Sequence, residues 1–471
     1  MTSISEAGIS IPRLRAELAG QVIAPEDAEY DEAREVFLPN VDRRPAAIVR
    51  PVDAGEVARV VSLARESGLE LAVRSGGHSG AGHGVTDGGI VLDLSLMKGL
   101  QIDAERRVAW AETGLTAGEV TAALWEHGLA VGFGDTGSVG IGGLTLGGGV
   151  GYLARKYGLT IDDLLAADVV TADGRLLRAD AENEPDLFWA IRGGGGNFGV
   201  ATRFLFRLHR LEAVTGGMLV LPATPEVVAS FIAAAEEAPE ELSGIANVMP
   251  APPMPFLPEE HHGELVVLAM LVHVGTTEEG ERALAPFRAL ATPIADLLRP
   301  MPYPEIYPPD DPDYRPLAAA RTMFVDSIDR DVAELILDRL RGSTAQMPVA
   351  QLRVLGGAMA RVAPDATAFA HRTSRIMVNV AAVYATPEEG PAHEAWVTEL
   401  AAALRQSDAG AYVNFLGDEG EERVRAAYPG ATWDRLAAVK RRYDPTNLFR
   451  LNQNVPPARG DASTARGGPG T

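Results

Sequence analysis

Apolar residues recur along this chain in two rhythms. Between Pro45 and Arg74 a short apolar run, "PAAIVRP", gives way to "DAGEVARVVSLARESG", whose apolar positions repeat at helical spacing, and then to "LELAVR". The pattern predicts strand, helix, strand. Asp53 followed by Glu56 has the form of a capping box, and Gly68 that of a helix end. Further strand-like runs follow in "GGIVLDLS" and "RRVAWAETG", then a helix is expected from Thr116 to His127. "ADVVTADGRLLRADA" reads as a hairpin turning at Asp173 and Gly174, and "VATRFLFRLHRL" as a strand with Phe204, Phe206 and Leu208 on one face.

After Leu211 the texture changes. Prolines cluster in "MPAPPMPFLPEE" and "RPMPYPEIYPPDDPDYRP", and helical stretches such as "TPEVVASFIAAAEEAPEEL" and "DRDVAELILDRLRG" alternate with strand-like "GELVVLAMLVHV" and "SRIMVNVAAVYA". This is the pattern of a sheet covered by helices. Near Gly410 the character shifts again. "AYVNFLGDEG" alternates as a strand would, placing Tyr412 and Asn414 on one side, and "ARGDASTARGGPGT" has the composition of a disordered tail.

Three glycine-rich loops interrupt the N-terminal rhythm: "RSGGHSGAGHG", "GDTGSVGIGGLTLGGGVGYL" and "RGGGGNFGV". Glycine lets backbone N–H groups approach a ligand closely, and successive amides can form a concave anion site suited to a diphosphate. Neither a dinucleotide fingerprint with its acidic partner nor a P-loop ending in lysine is present. The ligand is therefore expected to be held in another way.

Composition narrows the chemistry. The 471 residues are 46% hydrophobic with a formal net charge of −22, which disfavours nucleic acid, and they include no cysteine. Disulfides, thiolate catalysis and cysteine zinc sites are thus excluded. The nine histidines show no paired metal-ligand spacing, and no G-x-S-x-G elbow is present. The first residues lack an apolar core of signal-peptide length and no apolar window approaches a membrane span, so a cytoplasmic protein is expected.

Taken in order, "RSGGHSGAGHG", "GDTGSVGIGGLTLGGGVGYLARKYGL", "DLFWAIRGGGGNFGV" and "KRRYDPTNLFRLNQNVPP" resemble the FAD-linked oxidases of the vanillyl-alcohol oxidase superfamily. Within it they are similar to the berberine-bridge-enzyme group that includes bacterial 6-hydroxynicotine oxidases. The resemblance implies an α+β fold: a two-part PCMH-type FAD-binding domain and a substrate domain with an antiparallel sheet covered by helices. Residues 1–210 would form the first part, 211–405 the substrate domain, 406–458 a C-terminal part returning to the FAD domain, and 459–471 the tail.

By the same resemblance, His78 carries the flavin through its 8α-methyl. The link is single, because Thr136 stands where many relatives have a second, cysteinyl attachment. Arg74, Ser75, Gly76, Gly77 and Ser79 belong to the His78 loop, and His83 either touches the flavin or supports that loop. Gly137, Ser138, Gly142, Gly143, Gly148, Val200, Asn452 and Asn454 match further cofactor contacts. Val139 matches a dioxygen gate, where valine accompanies oxidases and leucine dehydrogenases.

On the substrate side, Tyr412 matches a catalytic base, with Asn414 beside it. Gln351 and Arg353 share a strand face, and Arg353 could lower the Tyr412 pKa, bind a substrate carboxylate or enolate, or form a surface ion pair. Tyr152 matches an aromatic of the substrate wall. His371 and Arg372, which also match the family, are expected to be structural. The implied activity is hydride transfer from a small or medium organic molecule (an alcohol, an amine or a secondary metabolite) to FAD, with dioxygen as acceptor. A dehydrogenase with another acceptor and an electron-transfer flavin subunit are the alternatives.

Overall fold

The first predicted helix forms at Ala54–Ser67, and its ends show why. The Asp53 carboxylate accepts from Glu56 N–H at 2.9 Å, and Gly68 ends the helix at φ 68°. The reciprocal half of the expected capping box is absent. Glu56 instead accepts from the backbone N–H groups of Val52 and Gly20, tying the helix to the chain that precedes the first sheet.

In the computed structural model the described residues are 10–308, 311 and 314–459. Of the tail expected to be disordered, residues 460–471 lie outside them. Residues 21–207 hold two larger sheets. The first orders its strands Gln21–Ile23, Ala47–Arg50, Ile90–Asp93 and Leu71–Arg74, with the last three parallel. The second is antiparallel and runs Leu100–Asp103, Val108–Glu112, Val200–Arg207, Leu164–Val170, Leu176–Asp180. Phe204 and Phe206 point into its core, as their alternation predicts.

Between Val214 and Tyr384 an eight-stranded antiparallel sheet forms. Helices Pro225–Glu237, Thr277–Arg288, Arg330–Arg341 and Gly390–Ala403 cover one face, burying Phe231, Phe287, Ile336 and Val397 against Leu219, Val267 and Val378. Each such side chain contributes about 1.5–3 kcal/mol on leaving water. The other face carries a polar row. Asn247, Gln351 and Asn379 stand in register on three adjacent strands, and Gln351 Nε2 donates to Asn247 Oδ1 at 3.1 Å.

The segment around Tyr412 is not a strand, contrary to its alternation. Val413–Phe415 forms a single 3₁₀ turn, with Phe415 N–H closing on Tyr412 C=O at 3.0 Å. No neighbouring strand takes up its hydrogen bonds, so local turn geometry wins over the period-two pattern. Helices Glu421–Ala427 and Ala431–Tyr443 then bring Tyr428, Trp433 and Leu436 into the same core as Phe204 and Phe206. Lys440 is wholly buried there. Its ammonium donates to Asp444 (2.6 Å), Asn197 C=O (2.7 Å) and Phe449 C=O (2.8 Å).

Candidate active site

A cavity of about 490 Å³ lies where the three glycine loops, the C-terminal segment and the polar face of the large sheet meet. Its first wall is the loop after strand Leu71–Arg74. The buried Arg74 guanidinium donates to Asp93 (3.0 Å), Glu35 C=O (3.0 Å) and Ala33 C=O (2.5 Å), so its charge is spent on holding the loop. Burial alone would raise the Asp93 carboxyl, but the guanidiniums of Arg74 and Arg50 outweigh it and hold it below the ordinary carboxylate range.

Ser75 Oγ donates to Thr113 C=O at 2.5 Å and accepts from Gly142 N–H at 3.2 Å, locking the first loop to the second. A Cβ on Gly76 would overlap the Gly140 nitrogen. Gly77, at φ 73°, turns the chain so that His78 faces the cavity, where its ring stacks on Phe37. Ser79 and His83 also line the wall. Burial, aided by the nearby Arg43 charge, lowers the His83 pKa to about 4 and keeps its imidazole neutral.

From the second loop Asp135, Thr136, Val139, Gly142 and Gly143 line the cavity, and from the third Gly195, Gly196 and Val200 do. Three expected cofactor contacts do not. Gly137 C=O accepts from Gly118 N–H and the residue backs onto Tyr307, Ser138 is not among the lining residues, and Gly148 faces Phe369 and Tyr412. Asn452 lines the cavity and Asn454 does not. Gln453, which the sequence reading passed over, does.

These walls suit a large polar ligand such as FAD. A Cβ at Gly143 or Gly196 would meet no protein atom within 4 Å, so these two backbones present open faces. Tyr428 Oη and Asn452 Oδ1, from two lining residues, are buried without a protein partner. Such groups are costly unless something bonds them.

At the far end stands Tyr412. Its Oη accepts from Asn414 Nδ2 (2.9 Å), Gly149 N–H (3.0 Å) and Val150 N–H (3.3 Å). Burial pushes the phenol pKa above 10, and those three donors together with Arg353 offset part of the rise. Arg353 does lower the Tyr412 pKa, as expected, but its pull is the smallest of these and does not overcome burial. The reason is geometric: the Arg353 guanidinium is bound to Asp135, Val150 C=O (2.9 Å) and Gln351 Oε1 (3.0 Å), behind the cavity surface. It is 3% exposed, which also removes it as a surface ion pair and as an open site for a substrate carboxylate.

Tyr152 is corrected too. It packs in an apolar cluster with Tyr303, Tyr307 and Leu153 and lies off the cavity. His371 and Arg372 also sit away from it, with Arg372 gripping Asp162 through two bonds of 2.8 Å. Asp135 is the one carboxylate among the described lining residues, and Asn379, Phe415 and Phe37 line the cavity as well. Asn379 carried a legible signal, a lone amide inside the apolar run "IMVNVAAVY". Asp135 sat unremarked beside Thr136, and Phe37 gave no local sign.

Among the described residues no helix is long and apolar enough to cross a membrane, and no group of three or more acidic or histidine side chains could hold a metal ion.

Two family models match the chain, a FAD binding domain over residues 45–180 and a berberine and berberine-like segment over residues 411–456. The sequence is 32% identical over 460 residues to (R)-6-hydroxynicotine oxidase of Paenarthrobacter nicotinovorans, covering 93% of this chain and 97% of that one. It is 29% identical over 469 residues to xylooligosaccharide oxidase of Thermothelomyces thermophilus, covering 93% and 92%. The crystal structure of 6-hydroxy-D-nicotine oxidase from Arthrobacter nicotinovorans matches with a TM-score of 0.83 at 29% identity, over 93% of this chain and 98% of that chain.

Proposed function

Starting from the fact that this chain belongs to the FAD-linked oxidoreductase family with a berberine-like C-terminal segment, we propose that it is an oxidase of small or medium organic alcohols or amines. The FAD is held through one covalent bond to His78, residues 1–210 and 406–458 bind it, and residues 211–405 supply the substrate wall. The observation that carries this reading is the placement of His78 and of Tyr412, Asn414 and Gln351 on one continuous cavity.

When bound, FAD supplies the two-electron acceptor. Tyr412, in its phenolate form, receives the substrate proton at Oη, where three N–H donors stabilise the negative charge that the oxygen carries before the transfer. Gln351, Asn379 and Asn414 orient the substrate by hydrogen bonds. With the Arg353 guanidinium already occupied, the wall offers no open cation among the described residues, which favours a neutral or amine substrate over a carboxylate. Val139 both lines the cavity and packs against the core beneath its loop, leaving dioxygen more room than a leucine would.

The test is anaerobic mixing of the purified yellow protein with a panel of alcohols and amines, followed by air. Bleaching on mixing and rapid recovery in air, with hydrogen peroxide released, is the expected result. Bleaching with slow recovery in air identifies a dehydrogenase instead, and no bleaching by any compound identifies a flavin-carrying subunit.

A further inference from the structure

The Phe37 ring lies 4.4 Å from the His78 imidazole, centroid to centroid, with 20° between their planes. We propose that Phe37 is a positioning residue for the covalent attachment of the flavin: its ring holds the imidazole at the angle from which a ring nitrogen bonds to the cofactor. The inference rests on the reading of His78 as the attachment point.

Phe37 is placed by its backbone. Its N–H donates to Gly77 C=O at 3.1 Å, directly before His78. The preceding residues are clamped from both sides. Arg74 takes the carbonyls of Ala33 and Glu35, and Arg315, from beyond the large sheet's first strands, donates to Val36 C=O at 2.7 Å. Val36 itself is buried in the core with Tyr30, Ala72 and Val85. Phe37 belongs to no such core; it is half-buried at the cavity wall.

A large aromatic left at a cavity wall and stacked on one imidazole does little for stability beyond that contact. What it supplies is orientation. The phenyl face stacked on His78 fixes the plane of the imidazole while leaving the ring edge, which carries both nitrogens, uncovered by the phenyl.

Attachment forms one bond between a His78 ring nitrogen and the 8α carbon of FAD and breaks one C–H and one N–H bond. The two electrons pass through the flavin ring to dioxygen, which takes up the two protons as hydrogen peroxide. Such a step gains from a nitrogen already aimed at carbon.

The experiment compares full-length wild type, Phe37→Leu, Phe37→Trp and His78→Ala, each supplied with FAD. It follows fluorescence of the denatured band and intact mass under denaturing conditions over time, with non-covalent FAD binding and thermal midpoint measured alongside. Loss of a stacked pair corresponds to about 3- to 10-fold in rate. Phe37→Leu is therefore expected still to bind FAD, with a midpoint lowered only slightly, yet to form adduct about that much more slowly, while Phe37→Trp restores the rate. Wild-type adduct formation in Phe37→Leu overturns the proposal, and so does loss of all FAD binding in both Phe37 variants, which makes the residue part of the pocket wall. If the wild type forms no adduct beyond His78→Ala, the attachment reading itself falls, and this inference with it.

Discussion

The carboxylate of Asp135, on the second glycine loop, closes on the guanidinium of Arg353, on a central strand of the large sheet. The two residues are 218 positions apart and join the cofactor wall to the substrate wall. With Arg353 side-chain exposure at 4%, removing its charge strands a carboxylate at the cavity rather than in water.

Breaking one side of this pair is expected to cost more than removing both. Arg353→Met should lower stability by about 3 kcal/mol, and Asp135→Asn combined with Arg353→Met should recover part of that loss. Urea unfolding of the single and double variants measures it. Strict additivity would show that the two groups do not act as a pair.

The pH dependence follows from the direction of the Tyr412 shift. A phenol held above 10 is mostly protonated at neutral pH, so its basic form grows as pH rises. If Tyr412 takes the substrate proton, the anaerobic rate of flavin reduction should climb from neutral into alkaline solution. Tyr412→Phe should flatten that climb and slow reduction by about 100- to 10,000-fold, with flavin content unchanged. A variant that keeps the climb removes Tyr412 from the proton path.

His78→Ala should still bind FAD through the glycine loops but release it on acid precipitation, where the wild type keeps its colour in the pellet. Equal release from both proteins would refute the covalent bond.

Gly147 matters for contact rather than for turning. A Cβ there would overlap the Asn414 amide, which is bonded to Tyr412 Oη at 2.9 Å. Gly147→Ala should displace Asn414 and reduce turnover while the thermal midpoint moves only slightly; intact kinetics would mean that Asn414 can swing aside without consequence.

Lys440 should prove indispensable to the C-terminal wall. Its three bonds join Asp444, the Gly195–Phe198 turn and Phe449. Lys440→Met leaves Asp444 as an uncompensated buried charge, with an expected loss of about 3–5 kcal/mol and weaker retention of FAD. Calorimetry and flavin release on dilution report the two effects separately.

What the sequence determined by itself was the content of the loops and the period of the elements. Glycines at Gly76, Gly77, Gly142 and Gly143 need no partner to announce a close backbone approach, and the alternation of Phe204 and Phe206 names a buried face. These are local properties of the chain. The tertiary structure alone decided which side chains share a surface. It withdrew Arg353 and Tyr152 from the cavity, replaced the expected strand at Tyr412 by a turn, and brought in Asp135, Asn379 and Phe37. The reason is that charge pairing and ring stacking act between residues far apart in the chain, and no short-range pattern records which distant partner will neutralise a guanidinium or meet an imidazole.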